Sequence, residues 1–248
     1  MIASAYKLYL LDIEGTVAPL SLVTEQLFPY ARKHLREFLN SNLEDPGVRA
    51  DLTLLAEENR AETDPAVPRH LPNVQWTGFV DGPKFLLDAW IYLLWLMDRD
   101  RKSTALKSLQ GKIWKAGFES GELTGTLFQD VPEALAQWAA RGKVAIYSSG
   151  SVEAQELLFR YSNYGDLTAH LSAYFDTRTG AKRESASYTM IAEAMSVKPA
   201  EAIFFSDVVA ELDAARAAGF ATRLVVRPGN AAVEDAHGHH TVETLALI

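Results

Sequence analysis

From Asp130 onward, short apolar runs alternate with helical stretches, while a matching run, Tyr6–Leu11, stands alone near the start, cut off by residues 20–128. Such alternation constrains the fold strongly, because parallel neighbouring strands need a crossover between them, usually a helix. After Asp130 the order reads helix, strand, helix, loop, helix, strand, helix, strand. Asp130 and Glu133, with Pro132 in the first turn, have the spacing of a capping box, and Gly142 is expected to end that helix after Arg141. Strands are expected at Lys143–Ser148, at Ala202–Phe205 and, as the final one, at Ala221–Val226. Helices are expected at Ser185–Met195 and Val209–Ala218, the latter closed by Gly219. The fold class is α/β, a Rossmann-like, mostly parallel sheet with helices on both faces.

The break after the first strand reads as an inserted α-helical domain. Leu27, Tyr30 or Ala31, Leu35 and Phe38 recur at helical spacing after Thr24, and Pro29 leaves the start of that helix open. Asp64–Pro83 contains four prolines and predicts a loop or linker. Phe85–Met97 is apolar nearly all round, but Asp88 interrupts it and Asp98, Arg99 and Asp100 follow it, so it is too short to span a bilayer. It is expected as the central helix of a small bundle, with Trp90, Tyr92 and Trp95 as packing groups, and Thr104–Gly117 adds another helix. These readings divide the chain into a core of residues 1–19 and 129–248 and an insertion of residues 20–128.

Four polar residues then stand out by position. Asp12 follows Tyr6–Leu11, Ser148 follows Val144–Tyr147, Lys182 ends Thr179–Lys182, and Asp207 follows Ala202–Phe205. Ligands of open α/β sheets bind outside the carboxyl ends of the strands, where residues far apart in sequence converge. A carboxylate such as Asp12 can attack phosphorus to give an aspartyl phosphate, dividing one hard hydrolysis into two easier steps. Glu14 can protonate the leaving oxygen and then take a proton from the attacking water. A divalent ion between Asp12 and Asp207 lets the anionic nucleophile approach an anionic phosphate, and Lys182 adds fixed positive charge. Hydroxyl and N–H groups of Ser148, Ser149, Gly150 and Ser151, before a helix, supply donors to phosphoryl oxygens.

Taken singly, each residue has an ordinary role. Asp12 and Asp207 suit turns or helix caps, Ser148–Ser151 can simply start a helix, and Lys182 and Glu211 can face solvent. The ordered set carries the argument. Gly15 and Gly150 make neither a dinucleotide fingerprint nor a P-loop. His237, His239 and His240 lie in a Gly-containing polar segment and are expected as an exposed loop rather than a metal site.

With Asp12–Thr16, the Ser148 turn, Lys182 and Ser206–Ala215 in order, the chain resembles the haloacid-dehalogenase-like phosphohydrolases. Most members carry Asp where this chain has Glu14. That departure, with Leu27–Tyr30, Asp100–Gly111, Ile146–Gln155 and Val225–Ala231, is similar to the enolase-phosphatase branch of methionine salvage. The resemblance implies a Mg²⁺-dependent enzyme whose substrate is a small phosphorylated diketone, 2,3-diketo-5-methylthiopentyl 1-phosphate. It implies Asp12 as nucleophile and metal ligand, Glu14 as acid/base with its backbone near the metal, and Asp207 as metal ligand. Ser148, Ser149 and Lys182 are placed at the substrate. The helical insertion becomes a cap, with Gln110, Gly111 and Trp114 as candidates for recognition there.

Composition limits the alternatives. The 248 residues carry 24 Lys+Arg against 32 Asp+Glu, a net charge of −8, with no basic block to follow a nucleic-acid backbone. An anionic substrate is therefore attracted locally. Zero cysteines exclude disulfides, thiolate nucleophiles and cysteine metal sites. Lys7 and then Asp12 and Glu14 break the first apolar stretch, which does not fit a signal peptide, so cytoplasmic residence is expected. A phosphatase of another small phosphoester and a receiver-like phospho-acceptor module stay open, although the large insertion disfavours the latter. Oligomeric state stays open too, a monomer among the readings.

Overall fold

The structure is a computed structural model that describes residues 6–68, 71–73, 76 and 82–245. Two compact units make up the chain, Met1–Glu25 with Gly121–Ile248, and Gln26–Ser120. Compactness thus divides the chain a few residues inside the expected limits of 20 and 128.

The first unit is built on a parallel sheet whose described strands are β1 (Leu8–Leu11), β2 (Lys143–Tyr147), β3 (Ala173–Phe175), β4 (Ala202–Ser206), β5 (Ala221–Val225) and β6 (His240–Val242). Their spatial order is β3-β2-β1-β4-β5-β6. β1 lies between β2 and β4, with Leu8 opposite both Lys143 and Ala202, so the strand order reverses at β1. That reversal opens a crevice at the carboxyl ends of β1, β2 and β4, after which come Asp12, Ser148 and Asp207.

Both faces of the sheet are covered, which is why its central strands β1 and β4 are continuous buried runs rather than alternating ones. Leu8, Leu10 and Phe204 point to one face and pack with Tyr188 and Ile191 of α7 (Ser185–Ala194) and Leu212 of α8 (Val209–Ala217). On the opposite face Trp138 of α5 (Val131–Ala139) stacks on Tyr9 and on Phe205, with ring centroids 5.0 Å apart in each case. α6 (Val152–Arg160) covers β3 through Phe159 and Tyr174. Trp138 is wholly buried, and burying a side chain of that size contributes about 3 kcal/mol.

The second unit is helical, with α1 (Phe28–Ser41), α2 (Pro46–Ala61), α3 (Gly82–Asp98) and α4 (Thr104–Ser120). Pro29 sits in the first turn of α1, where no N–H is needed, and Ala31, Leu35 and Leu39 form its buried stripe at four-residue steps. The sequence reading has no counterpart for α2, although its start was marked: Asp45 accepts a hydrogen bond from the Val48 N–H at 2.9 Å and Pro46 begins the helix. α3 is the apolar central helix, with Tyr92 and Trp95 buried and Trp90 half-buried under the Arg36 guanidinium, 5.3 Å from the ring centroid. Within the expected linker Asp64–Pro83, residues 69–70, 74–75 and 77–81 lie outside the described residues, while Pro83 belongs to α3.

Three local expectations are corrected. Asp130 makes no cap hydrogen bond to α5. Its carboxylate accepts instead from Arg227 Nη1 at 2.9 Å, Thr244 Oγ1 at 2.9 Å and the Leu245 N–H at 2.6 Å, charge-assisted bonds that outweigh one cap. α5 ends at Ala139, two residues before the expected Arg141; the Gly142 N–H still closes on the Trp138 carbonyl at 2.8 Å, and a Cβ at Gly142 would lie 2.8 Å from the Lys7 carbonyl. Finally, His239 is no exposed loop residue but is buried, with Nδ1 2.7 Å from Thr222 Oγ1 and Nε2 3.1 Å from Asp213, and His240 begins β6.

Candidate active site

The Asp12–Ala18 turn is tight because the Ile13 carbonyl accepts from the N–H groups of Thr16, Val17 and Ala18, at 3.1, 2.9 and 2.9 Å. Gly15 has φ +70, and a Cβ there would sit 2.2 Å from Asp207 Oδ2, so the turn admits only glycine if Asp207 is to stay in place. From behind, Asn230 Nδ2 donates to the Gly15 carbonyl at 2.9 Å and Arg227 Nε to the Thr16 carbonyl at 3.1 Å.

Asp12 is 3% exposed at the carboxyl end of β1. Its Oδ1 lies 2.6 Å from Lys182 Nζ and accepts the Ile13 N–H at 2.8 Å. Lys182 Nζ also pairs with Glu211 Oε2 at 2.7 Å. Ser206 Oγ accepts the Val208 N–H at 3.1 Å and faces Asp12 Oδ2 at 3.3 Å and Glu211 Oε2 at 3.1 Å, to which it can offer its single proton. Glu14 turns towards β2, where Ser148 Oγ donates to its Oε2 at 3.3 Å. Ser148 is buried and also accepts the Gly150 N–H at 3.2 Å, whereas Ser149 is exposed. Ser151 caps α6, accepting from the Ala154 N–H. The ends of four adjacent strands thus deliver Asp12, Ser148, Asp207 and the Lys182 loop.

Charge is unbalanced here. Asp12, Glu14, Asp207 and Glu211 surround the ammonium of Lys182. Burial, and then the charge of Asp12, raise Glu14 above the usual carboxylate range and do the same to Glu211. Asp207 is pushed up to about 7 by burial and by Asp12. Burial pulls the Lys182 ammonium down, but the Asp12 and Glu211 carboxylates outweigh it and hold it above its ordinary value. Crowded oxygen donors with too little positive charge fit a hard divalent cation. Among the described residues no three His, Cys, Asp or Glu side chains form a metal cluster by themselves. Of the expected metal set, Glu14 has its carboxylate on Ser148 at 3.3 Å.

Ser206, Arg227 and Asn230 were given no individual role from sequence, although they fall within Ser206–Ala215 and Val225–Ala231. The only signal for the last two was an Arg-Pro-Gly-Asn turn after β5. In the helical unit, Gln110 is buried, a Cβ at Gly111 would meet nothing within 4 Å, and Trp114 Nε1 donates to the Leu27 carbonyl at 2.8 Å. No helix among the described residues is long and apolar enough to cross a membrane.

Residues 6–219 match the haloacid dehalogenase-like hydrolase family. An enolase-phosphatase E1 of Synechococcus elongatus is 53% identical over 226 residues, covering 91% of this chain and 90% of its own. An enolase-phosphatase E1 of Danio rerio is 41% identical over 240 residues, covering 96% and 92%. Among solved structures, the unknown transcript 4 protein of Saccharomyces cerevisiae is similar with a TM-score of 0.78 at 33% identity, covering 98% of this chain and 100% of its own.

Proposed function

We propose that this chain, which belongs to the haloacid dehalogenase-like hydrolases and among them to the enolase-phosphatases E1, converts 2,3-diketo-5-methylthiopentyl 1-phosphate through an enol phosphate to acireductone and inorganic phosphate in methionine salvage. The observation that carries the phosphatase half is Asp12, buried at a strand end with Lys182 Nζ 2.6 Å from its carboxylate and Glu14 in the same turn.

An Asp12 carboxylate oxygen attacks phosphorus, the bond from phosphorus to the enol oxygen breaks, and Glu14 gives that oxygen its proton. The raised proton affinity of Glu14 suits an acid. Water then attacks the phosphorus of the aspartyl phosphate, Glu14 takes its proton, and the Asp12 carboxylate leaves with both oxygens restored. Lys182 offsets the charge that accumulates on the phosphoryl oxygens, and Ser148 and Ser149 offer them donors. A divalent cation, Mg²⁺ in this reading, held by Asp12, Asp207 and the Glu14 carbonyl, adds charge neutralisation when bound. The enolase half rests on the relatives, and the helical unit is assigned the part of a cap that selects the leaving group. Cytoplasmic residence and a monomeric state belong to the same proposal.

The test follows the diketone phosphate with Mg²⁺ by ultraviolet absorbance and by NMR in deuterated water, with free phosphate measured in parallel. A transient enol phosphate before phosphate release is expected. Rapid hydrolysis of simple phosphate esters without enolisation of the diketone would overturn the proposal in favour of a general phosphatase.

A further inference from the structure

The Lys182 ammonium is placed by a backbone segment with no ladder of its own, and the hydrogen bonds that hold it come from an unexpected source. Tyr147 Oη donates to the Gly180 carbonyl at 3.0 Å, Ser187 Oγ to the Ala181 carbonyl at 2.8 Å, and Tyr188 Oη to the Lys182 carbonyl at 2.7 Å. Three hydroxyls thus address three consecutive carbonyls. They reach the segment from the end of β2 and from the first turn of α7, elements fixed in the sheet core. Tyr188 is fully buried, with its ring centroid 5.1 Å from Phe204 and 5.6 Å from Tyr147. Tyr147, equally buried, keeps its ring 5.9 Å from Lys182 Nζ. Gly180 has φ +147, and a Cβ there would lie 2.2 Å from Ser187 Oγ, so glycine lets the helix come this close.

We infer that Tyr147, Ser187 and Tyr188 are positioning residues for the phosphoryl-transfer reaction, acting through the Lys182 backbone to hold Nζ against Asp12. The inference rests on the proposed reaction but concerns groups that touch neither phosphate nor nucleophile. A lysine on a flexible stem is a mobile point charge, and fixing its Cα end shortens the range over which the ammonium wanders. Precise placement of such fixed charge is where an active site gains its rate.

Tyr188→Phe and Tyr147→Phe keep each ring and remove one donor, while Ser187→Ala removes the third. Each is expected to lower kcat/KM for the diketone phosphate with Mg²⁺ about fivefold, the usual worth of one hydrogen bond. To separate positioning from general weakening, each substitution is repeated in a Lys182→Ala background, where it should cost nothing further because the group it places is gone. If that background turns over too slowly, binding of inorganic phosphate to the same four proteins completes the cycle. Full rates in all three single variants, or an undiminished loss in the Lys182→Ala background, would overturn the inference. An active Asp12→Asn enzyme would instead overturn the reaction, so the two failures are distinguishable. Should Tyr188→Phe fail to fold, Ser187→Ala carries the measurement at the neighbouring carbonyl.

Discussion

Asp12 combines burial with an ammonium on one oxygen and a hydroxyl near the other, an environment that keeps the proposed nucleophile in one orientation. Asp12→Asn preserves shape but removes the attacking charge, so phosphate release should fall roughly a thousandfold or more. Phosphate assay with circular dichroism checks this: a folded variant with full activity would remove Asp12 from the mechanism. Gly15→Ala tests the turn beside it. The new methyl meets strain at φ +70 and a contact 2.2 Å from Asp207 Oδ2, so Asp207 must move. Activation by Mg²⁺ should shift to higher concentration, which a titration of rate against Mg²⁺ measures. Asp12, Ser148, Lys182 and Asp207 were legible because each ends an apolar run or sits in the loop after one. The work of Ser206 and Arg227 was not, because their hydrogen bonds reach Asp12 and Thr16 at the other end of the chain, and sequence spacing carries no trace of a partner in a distant segment.

Among the elements, α5 shows how a local signal yields to a tertiary one. Asp130 has the right spacing for a capping box, yet its carboxylate ties Arg227 and the chain after β6 to the start of α5. Arg227 is 7% exposed, so Asp130→Ala would leave a buried guanidinium without its counter-charge at a cost of about 3 kcal/mol, measured by urea unfolding. Burial opposes ionisation of Asp130, but Arg227 and the other donors hold its carboxyl below the usual range. Its contribution is present above the ordinary carboxylate pKa and is lost as pH falls through the lowered value. The gap between wild type and Asp130→Ala should therefore narrow in acid. The long elements were readable: β1, β2 and β4 as apolar runs, α1 as a stripe at helical spacing and α3 as a segment apolar nearly all round. β3 and β6, three residues each, are too short to show alternation and exist because a neighbouring strand offers them a register.

Over the whole molecule, a net charge of −8 and a cluster of four acids around one lysine, with Asp12 buried and Glu14, Asp207 and Glu211 half-buried, set how a cation would bind in the proposed reading. In the cation-free protein Asp207 keeps its proton up to about pH 7, against an ordinary value of 3.8, because of burial and the charge of Asp12. Between those two values the folded state binds more protons than the unfolded state, so this group makes the cation-free fold less stable as pH rises through the window. A divalent cation must displace that proton, and its affinity therefore grows with pH until Asp207 is ionised without help. Thermal melts with and without Mg²⁺ are expected to show a larger rise in Tm at pH 8 than at pH 5.5, because binding to the folded state alone raises stability with affinity. Asp207→Asn should lose most of the Mg²⁺ response and its pH dependence together, since it removes a proposed ligand carboxylate whose proton competes. Equal increments at the two pH values, or an intact response in Asp207→Asn, would take Asp207 out of the cation site and leave its raised proton affinity a consequence of crowding alone.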